Sequence, residues 1–367
     1  MTLELQGLRL NMASFLSELS NTSSDAFLYQ LLDLRRQARQ RVDIDKDALL
    51  CCLFLDAIFD HSQNNKSAKG HLYLEKYEIP QIKLFDILIS KFPFVSASHT
   101  ISNKMISEWI KGESKAAVLD IGIGRGLQMC SLINELAENT ELRELTIIGI
   151  EPFGDALIHA RQLISEAATN AAFKVNLHLF EGFAETVNMQ EIKKVLPENC
   201  GKFVINASLA VHHIPSITLR KHFFKQVSSL NPDAIVLTEP HSDHMTDDWA
   251  QRTANAWIHY GAIFDTIDSL HITREEKNGL KMFFGREIKD VVSTPDSERF
   301  ERHEPCSNWL TYCMEIGMVV DCRQDLVEQM YIPETISLSC QQDVIMMKYQ
   351  DTDVLAVIPM IKSNGVN

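Results

Sequence analysis

An acidic residue and three alternating glycines form the stretch with the clearest chemical capacity. Asp120, Gly122, Gly124 and Gly126 follow directly on an apolar run. Because glycine has no Cβ, such a turn lets the backbone approach a ligand closely. Leu127 stands where a dinucleotide fingerprint needs its third glycine, and the Gly-Lys-Ser/Thr ending of a P-loop is missing. The pattern predicts a nucleotide-cofactor loop between a strand and a helix, with a ligand-free tight turn as the alternative.

This spacing is similar to motif I of class I S-adenosylmethionine-dependent methyltransferases. In that family the acid lies beneath the loop, and the loop contacts the methionine part of the cofactor. Glu151 directly follows the next predicted strand, where a carboxylate can accept hydrogen bonds from both ribose hydroxyls. Phe183 stands where the family often places an aspartate for the adenine amino group, so it is limited to stacking on the base. We expect S-adenosylmethionine as cofactor, held by Asp120, Gly122, Gly124, Gly126, Glu151, Phe183 and Asn206.

Two adjacent histidines, His212 and His213, come shortly after the fourth predicted strand. This placement resembles small-molecule methyltransferases in which a His-His pair faces the substrate. A histidine with an ordinary pKa can act as a general base and deprotonate a methyl acceptor. We expect His213 to be catalytic and His212 to bind substrate; the alternative is that both make structural hydrogen bonds.

Further polar residues follow the fifth predicted strand, including Glu239, His241, Asp243 and His244. The last three are metal-ligand types, but they lie on a loop without the i, i+4 helical spacing of a metalloprotease pair. We therefore expect no metal. Glu239 is predicted to contact substrate, and His244 is predicted to be the second catalytic residue.

These residues all come at the ends of strands in an alternating pattern of strands and helices. Strands are predicted at 116–121, 145–150, 175–180, 203–207 and 234–238. Such alternation implies right-handed crossovers and a parallel sheet, which binds ligands at the carboxyl ends of its strands. Three later strand-like runs, at 336–338, 344–348 and 354–359, include a hairpin. The fold class is α/β: a Rossmann-like seven-stranded methyltransferase sheet.

The first part of the chain is instead helical, with apolar residues at helical spacing at 27–41, 47–59 and 101–110. Asp47 is predicted to cap the second of these helices. We expect two domains: an N-terminal α-helical cap at 1–112, and a core at 113–367 with a helical insertion at about 241–303 that joins the cap.

Composition narrows the functional class. The 367 residues carry a net charge of −14, which argues against direct nucleic-acid binding and against an anionic membrane surface. The N-terminus shows no signal peptide, and the most apolar segment is too short to span a membrane. The eight cysteines form no Cys-x-x-Cys pair. We expect a cytoplasmic protein with reduced thiols, although export without a cleavable signal stays open.

Several motifs in order resemble those of GRAS proteins. The run 284–288 reads Phe-Gly-Arg-Glu-Ile, the run 299–304 reads Arg-Phe-Glu-Arg-His-Glu, and Trp309 follows. These look like the PFYRE and SAW region of that family. Leu49-Leu50-Cys51-Cys52, the stretch 118–128, His244, His259-Tyr260 and Phe264-Asp265 also resemble family motifs.

The resemblance implies a Rossmann-like core with a helical cap. It also implies either a transcriptional regulator, as in plants, or a small-molecule methyltransferase, as is thought for bacterial members. This chain keeps all three glycines and places Glu151 where plant proteins often have glycine, so we favour the enzyme. Tyr260, Arg286 and Trp309 are expected to bind substrate, although Arg286 has a structural ion pair as its alternative. A ligand-sensing or protein-interaction module is the alternative function, and a homodimer or a protein partner is an open expectation.

Overall fold

The chain folds into two compact units, seen in a computed structural model that describes residues 7–19, 25–63, 81–341 and 343–363. The helical unit comprises residues 1–93, 242–304 and 349–354, and the sheet unit comprises 94–241, 305–348 and 355–367. The predicted division into a cap and a core at residue 112 stays a prediction. Within the described residues, no helix has the length and apolar character needed to cross a membrane.

Helices α1–α4 and α10–α11 build the helical unit, and α5 begins at its boundary. The helices are α1 Leu8–Ser17, α2 Asp25–Arg41, α3 Ala48–Ser62, α4 Gln81–Lys91, α5 Pro93–Trp109, α6 Leu127–Glu135, α7 Gly154–Ala168, α8 Met189–Val195, α9 Ile217–Ser229, α10 Trp249–Ser269, α11 Arg274–Ser293, α12 Cys306–Glu315 and α13 Gln324–Val327. Helix α3 is the apolar centre of the helical unit, because residues around most of its circumference, such as Leu50, Phe54 and Ile58, are buried.

The start of α3 differs from the sequence prediction. Asp47 precedes the helix, but its side chain makes no capping hydrogen bond, and its backbone is already helical at φ −86° and ψ −12°. Its carboxylate instead lies 3.4 Å from the Arg9 guanidinium. An N-cap side chain requires an extended backbone, so the ion pair replaces the predicted cap.

The sheet has nine strands in the described part of the chain, in the order β3-β2-β1-β4-β5-β9-β8-β7, with β6 also pairing with β9. The strands are β1 Lys115–Ile121, β2 Glu144–Glu151, β3 Lys174–Glu181, β4 Lys202–Ser208, β5 Ala234–Pro240, β6 Met318–Val320, β7 Ser337–Gln341, β8 Val344–Tyr349 and β9 Thr352–Lys362. The first five are parallel, and β9 runs antiparallel to β5 and β6. The predicted Rossmann-like α/β fold class is confirmed, with a wider sheet than the seven strands expected.

Strand order reverses between β1 and β4, because the chain moves outward from β1 through β2 to β3 and then returns to the other side of β1. Open α/β sheets bind ligands at such a switch point, outside the carboxyl ends of the strands. Asp120 of β1 and Asn206 of β4 are direct neighbours in the register. The fold therefore brings the predicted acid and the predicted amide together at the place where a ligand is expected.

Candidate active site

The loop between β1 and α6 contains the three glycines, all in the left-handed region. Their φ angles are +76° at Gly122, +51° at Gly124 and +77° at Gly126. The N–H groups of Gly122 and Ile123 donate to the Ile150 carbonyl over 2.9 and 3.0 Å, which ties the loop to the end of β2. Since other residues pay a steric cost at these angles, the glycines give this turn its shape.

Packing separates the three glycines into two classes. A Cβ at Gly122 would lie 2.7 Å from the Ala210 Cβ, and a Cβ at Gly126 would lie 2.8 Å from Ile164 Cδ1. Among the residues that the structure describes, a Cβ at Gly124 would meet nothing closer than a carbonyl of its own loop at 4.0 Å. Gly122 and Gly126 are thus required by the protein's own packing, whereas Gly124 borders open space that a ligand can enter.

Glu151 lies beneath this loop at the end of β2. Its Oε2 accepts a hydrogen bond from the Gly124 N–H at 3.1 Å, and its Oε1 accepts one from the Phe153 N–H at 3.3 Å. Burial raises the pKa of this carboxyl to about 6, while the two backbone N–H groups oppose the shift. Because each carboxylate oxygen has a second lone pair, Glu151 can support the loop and still accept a hydroxyl hydrogen bond.

Asp120 is buried at the end of β1 within a chain of amide side chains. Asn206 Nδ2 donates to Asp120 Oδ1 at 2.7 Å, and the Asn206 amide also exchanges hydrogen bonds with Gln128 at 3.2 and 3.3 Å. Gln128 Nε2 donates onward to Asn103 Oδ1 at 3.2 Å. Burial raises the pKa of Asp120 to about 7; the Asn206 bond opposes this, and the Glu151 charge adds to it.

The end of β4 combines a constrained backbone with an unpaired hydroxyl. Leu209 adopts φ +55°, which is unfavourable for leucine, and its N–H donates to the Thr238 carbonyl at 2.8 Å. Next to it, the buried Ser208 Oγ has no hydrogen-bond partner among the described residues. Strained residues and unpaired buried polar atoms concentrate at functional sites, so this strand end has the features of a ligand-binding edge.

His212 and Glu239 form a buried dyad at the ends of β4 and β5. The His212 Nδ1 and Glu239 Oε2 atoms are 2.6 Å apart, and both side chains are almost fully buried. Glu239 Oε1 accepts from the Val211 N–H at 2.7 Å and the Ala210 N–H at 3.2 Å. Because Glu239 has no exposed surface and both its oxygens face protein atoms, it orients His212; this differs from the predicted direct contact with substrate.

His213 stands beside the dyad, and Phe183 lies apart at the end of β3. The His213 ring is half-buried, with its centroid 3.9 Å from that of His212. Phe183 is 44% exposed. The stacking role of Phe183 stays a prediction.

Trp309 occupies a different place from the one expected. Its ring has no exposed surface and belongs to the hydrophobic core of the sheet unit, beside Tyr312. The Arg220 guanidinium lies 4.8 Å from the ring centroid. Trp309 thus packs the core, and its burial leaves no surface for the predicted substrate contact.

The other predicted site residues lie in the helical unit. His244 is fully buried, its Nε2 lies 2.9 Å from Ser242 Oγ, and burial holds its pKa well below the usual range. Tyr260 is also fully buried and donates to Glu287 Oε2 at 3.1 Å. The catalytic role expected of His244 and the substrate contact expected of Tyr260 stay predictions. Arg286 is half-buried in α11, so its predicted role stays a prediction.

Sequence reasoning missed three residues that shape the site. Arg220 is fully buried in α9 and donates from Nη2 to the His212 carbonyl at 2.7 Å and from Nε to the Ile214 carbonyl at 3.2 Å. Ser208 and the Asn103 amide were also unrecognised. Ser208 could have been recognised as a polar residue at the end of a buried strand. Arg220 and Asn103 lie on helices, and the sequence pattern of these helices does not indicate a role in the site.

Comparisons with known proteins identify relatives in one family. Residues 33–332 match the GRAS domain family. The GRAS family protein RAD1 of Medicago truncatula is 28% identical over 266 residues, which cover 66% of this chain and 50% of RAD1. The Scarecrow-like transcription factor PAT1 of Arabidopsis thaliana is 25% identical over 239 residues, which cover 61% of this chain and 48% of PAT1. The matched region therefore spans about half the length of these relatives.

Among solved structures, SCL7 of Oryza sativa superposes on this chain with a TM-score of 0.80. The superposition covers 95% of this chain and 99% of SCL7, at 19% sequence identity. At that identity the likeness establishes the shared fold, and function must be argued from the side chains described above.

Proposed function

The chain belongs to the GRAS domain family, and on this premise we propose that its sheet unit binds S-adenosylmethionine and transfers the methyl group to a small molecule. The observation that carries the proposal is the pairing of Glu151 with the Gly124 N–H beside open space at Gly124. All three glycines suit a tight turn by their positive φ, but Gly122 and Gly126 also pack against protein atoms, whereas Gly124 leaves room for a ligand beside the Glu151 carboxylate.

The residues at this edge suit the parts of that cofactor. Glu151 supplies the carboxylate for the ribose hydroxyls, and the exposed ring of Phe183 supplies a stacking face for the adenine. The unpaired Ser208 hydroxyl supplies a hydrogen-bonding group that no described protein atom uses. Asp120 and Asn206 lie below the loop and fix its base.

The cofactor supplies an electrophilic methyl carbon, and the protein's own contribution is to position the acceptor and accept its proton. We assign the base to His212, whose ring is held through Nδ1 by Glu239 and whose backbone carbonyl is held by Arg220. A carboxylate on one ring nitrogen fixes the tautomer and stabilises the protonated ring. His213 is then the neighbouring group that shapes access to this base.

Calorimetry with S-adenosylmethionine on a pair of alanine variants tests the proposal. Gly124→Ala places a methyl group in the open space, and Gly317→Ala is the matched control, because Gly317 also has a positive φ, +84°, with nothing within 4 Å. We expect saturable binding by the wild-type protein and Gly317→Ala, and clearly weaker binding by Gly124→Ala. Equal binding by both variants would show that the cofactor does not approach Gly124.

A ligand-sensing module without chemistry is the second candidate. It is favoured by Phe183, whose side chain cannot accept a hydrogen bond from the adenine amino group. Incubation with S-adenosylmethionine labelled on the methyl group separates the two functions. The sensing module is supported if the label binds but no methyl group is transferred to any of a broad set of small acceptors. The enzyme is supported if labelled product forms, is lost in His212→Asn and is kept in His222→Asn. His222 is an exposed histidine on α9 and serves as the matched control.

A further inference from the structure

We propose that Cys322 and Cys340 form a reversible disulfide that closes the loop carrying α13 against the edge strand β7. This modification site is independent of the proposed cofactor site. Its basis is the position of the two thiols, whose Sγ atoms lie 2.7 Å apart although the residues are 18 positions apart in the chain.

Both cysteines stand on backbone that the sheet holds in place. Cys322 comes directly after Asp321, whose N–H donates to the Pro359 carbonyl of β9 at 2.9 Å. Cys340 lies in β7, where it pairs with Ile345 of β8. Because the neighbouring residues are anchored in the same sheet, the two thiols meet through the fold itself, and joining them requires little chain movement.

The two thiols differ in exposure, which sets their order of reaction. Cys340 is exposed and Cys322 is half-buried. Burial, together with the neighbouring Cys340, raises the pKa of Cys322 to about 12, so this thiol stays protonated at neutral pH. An oxidant therefore reaches Cys340 first, and Cys322 serves as the resolving thiol.

The chemistry balances with a hydroperoxide as oxidant. The Cys340 thiolate attacks one oxygen of hydrogen peroxide, the O–O bond breaks, and a sulfenic acid and hydroxide form. The hydroxide takes the Cys322 proton, which gives water and the Cys322 thiolate; this thiolate attacks the sulfenic sulfur, the S–OH bond breaks, hydroxide leaves and the disulfide results. A dithiol reductant returns both thiols by exchange.

The disulfide closes the segment between the two cysteines, which contains α13 and the exposed ring of Tyr331. Closing such a loop restricts the unfolded chain and stabilises the folded one. In the described part of the sheet β7 is also the last strand, and an exposed sheet edge can pair with other chains. The bond would fasten this edge under oxidising conditions.

The test treats reduced, full-length protein with hydrogen peroxide and follows each cysteine by differential alkylation and peptide mass spectrometry. We expect a monomeric product, a linked peptide pair containing Cys322 and Cys340, and a mass loss of about 2 Da. Dithiothreitol should restore alkylation of both residues. The midpoint of thermal unfolding should rise by a few degrees in the oxidised protein and should not rise in Cys340→Ser.

Two variants keep the test decisive. Cys322→Ser should leave the Cys340 sulfenic acid unresolved, so that dimedone traps it in this variant but not in the wild-type protein. Cys130→Ser removes a half-buried cysteine of α6 and should oxidise as the wild type does. Unchanged alkylation of Cys340 after peroxide, dimedone trapping in the wild type, or pairing of Cys340 with a second chain would each overturn the proposal.

Discussion

Asn206 Nδ2 donates a 2.7 Å hydrogen bond to Asp120 Oδ1 at the point where the strand order of the sheet reverses. The two residues are register partners on β1 and β4, so the backbone pairing fixes the bond. Asn206 in turn bonds to Gln128 at the start of α6. This connection ties the strand ends to the helix that follows the glycine loop.

Replacing Asp120 by Asn tests the buried carboxyl. Burial raises the pKa of Asp120 to about 7 in the folded protein, from 3.8. A raised carboxyl pKa means that the folded state holds the proton more tightly, so this contribution to stability is complete below about pH 4 and is lost as pH rises through about 7. As pH rises from about 4 to about 7, the free energy of unfolding of Asp120→Asn should therefore increase relative to that of the wild type. Denaturant titrations at several pH values measure the difference, and Asp155→Asn, at an exposed carboxylate of α7, is the control. A difference independent of pH would contradict a raised pKa.

Alanine at the glycines should separate packing from ligand approach. Gly124→Ala should cost roughly 1–2 kcal/mol, because only its left-handed backbone opposes a Cβ. Gly126→Ala adds a clash with Ile164 and a Cβ distance of 3.3 Å to the Ala160 Cα, so it should cost about 1–3 kcal/mol more. Urea unfolding of both variants checks the order, and equal costs would show that Gly126 is not packed as described.

The His212–Glu239 dyad makes a prediction that distinguishes orientation from mere structure. Glu239→Ala leaves the Val211 N–H, the Ala210 N–H and His212 Nδ1 without their acceptor and should cost at least about 2 kcal/mol. Glu239→Gln keeps one acceptor oxygen and should retain most of the stability. If His212 is the base, Glu239→Gln should still lower the rate of methyl transfer, and the affinity for S-adenosylmethionine should be unchanged. The upper limit of the decrease is the full loss of base catalysis, roughly 10²–10⁴-fold. A loss of affinity with no change in rate would contradict this assignment.

Arg220 should be important for stability despite being charged. It donates to the carbonyls of His212 and Ile214 and lies over the Trp309 ring. Arg220→Met leaves both carbonyls without this donor and should cost about 2–4 kcal/mol. Arg220→Lys keeps the charge but not the planar fork and should be intermediate. Thermal unfolding would rank the three proteins, and an Arg220→Met variant as stable as the wild type would contradict the hydrogen bonds to these carbonyls.

The sequence predicts the central strands well because each is a buried apolar run that ends in polar residues or glycine. β1, β2 and β4 begin and end within a residue or so of the predicted limits. β6 was not predicted, because a strand of three residues is too short to show an alternating apolar pattern. It forms a strand through its pairing with β9, which is distant in the chain. Local pattern decides the first kind of element, and tertiary pairing decides the second.

The candidate site shows the same division. The turn formed by Gly122, Gly124 and Gly126 was predictable from spacing, but their separate roles were not, because Ala210 and Ile164 come from other parts of the chain. The burial of Trp309 could not be predicted either, because the sequence does not distinguish an aromatic residue that packs in a core from one that contacts a ligand. Residue type indicates chemical capacity, and only packing shows whether that capacity is exposed.

Equilibrium dialysis with labelled S-adenosylmethionine, on the wild type, Glu151→Gln and the control Glu181→Gln, tests the central claim most directly. Glu181 is an exposed carboxylate at the end of β3, one strand away. The wild type and Glu181→Gln should bind one equivalent saturably, and Glu151→Gln should bind about tenfold more weakly, as expected for a lost hydrogen bond to a charged group. Because burial raises the pKa of Glu151 to about 6, wild-type affinity should also fall as pH decreases through that value. No saturable binding by folded wild-type protein, or equal affinity in Glu151→Gln, would contradict the account.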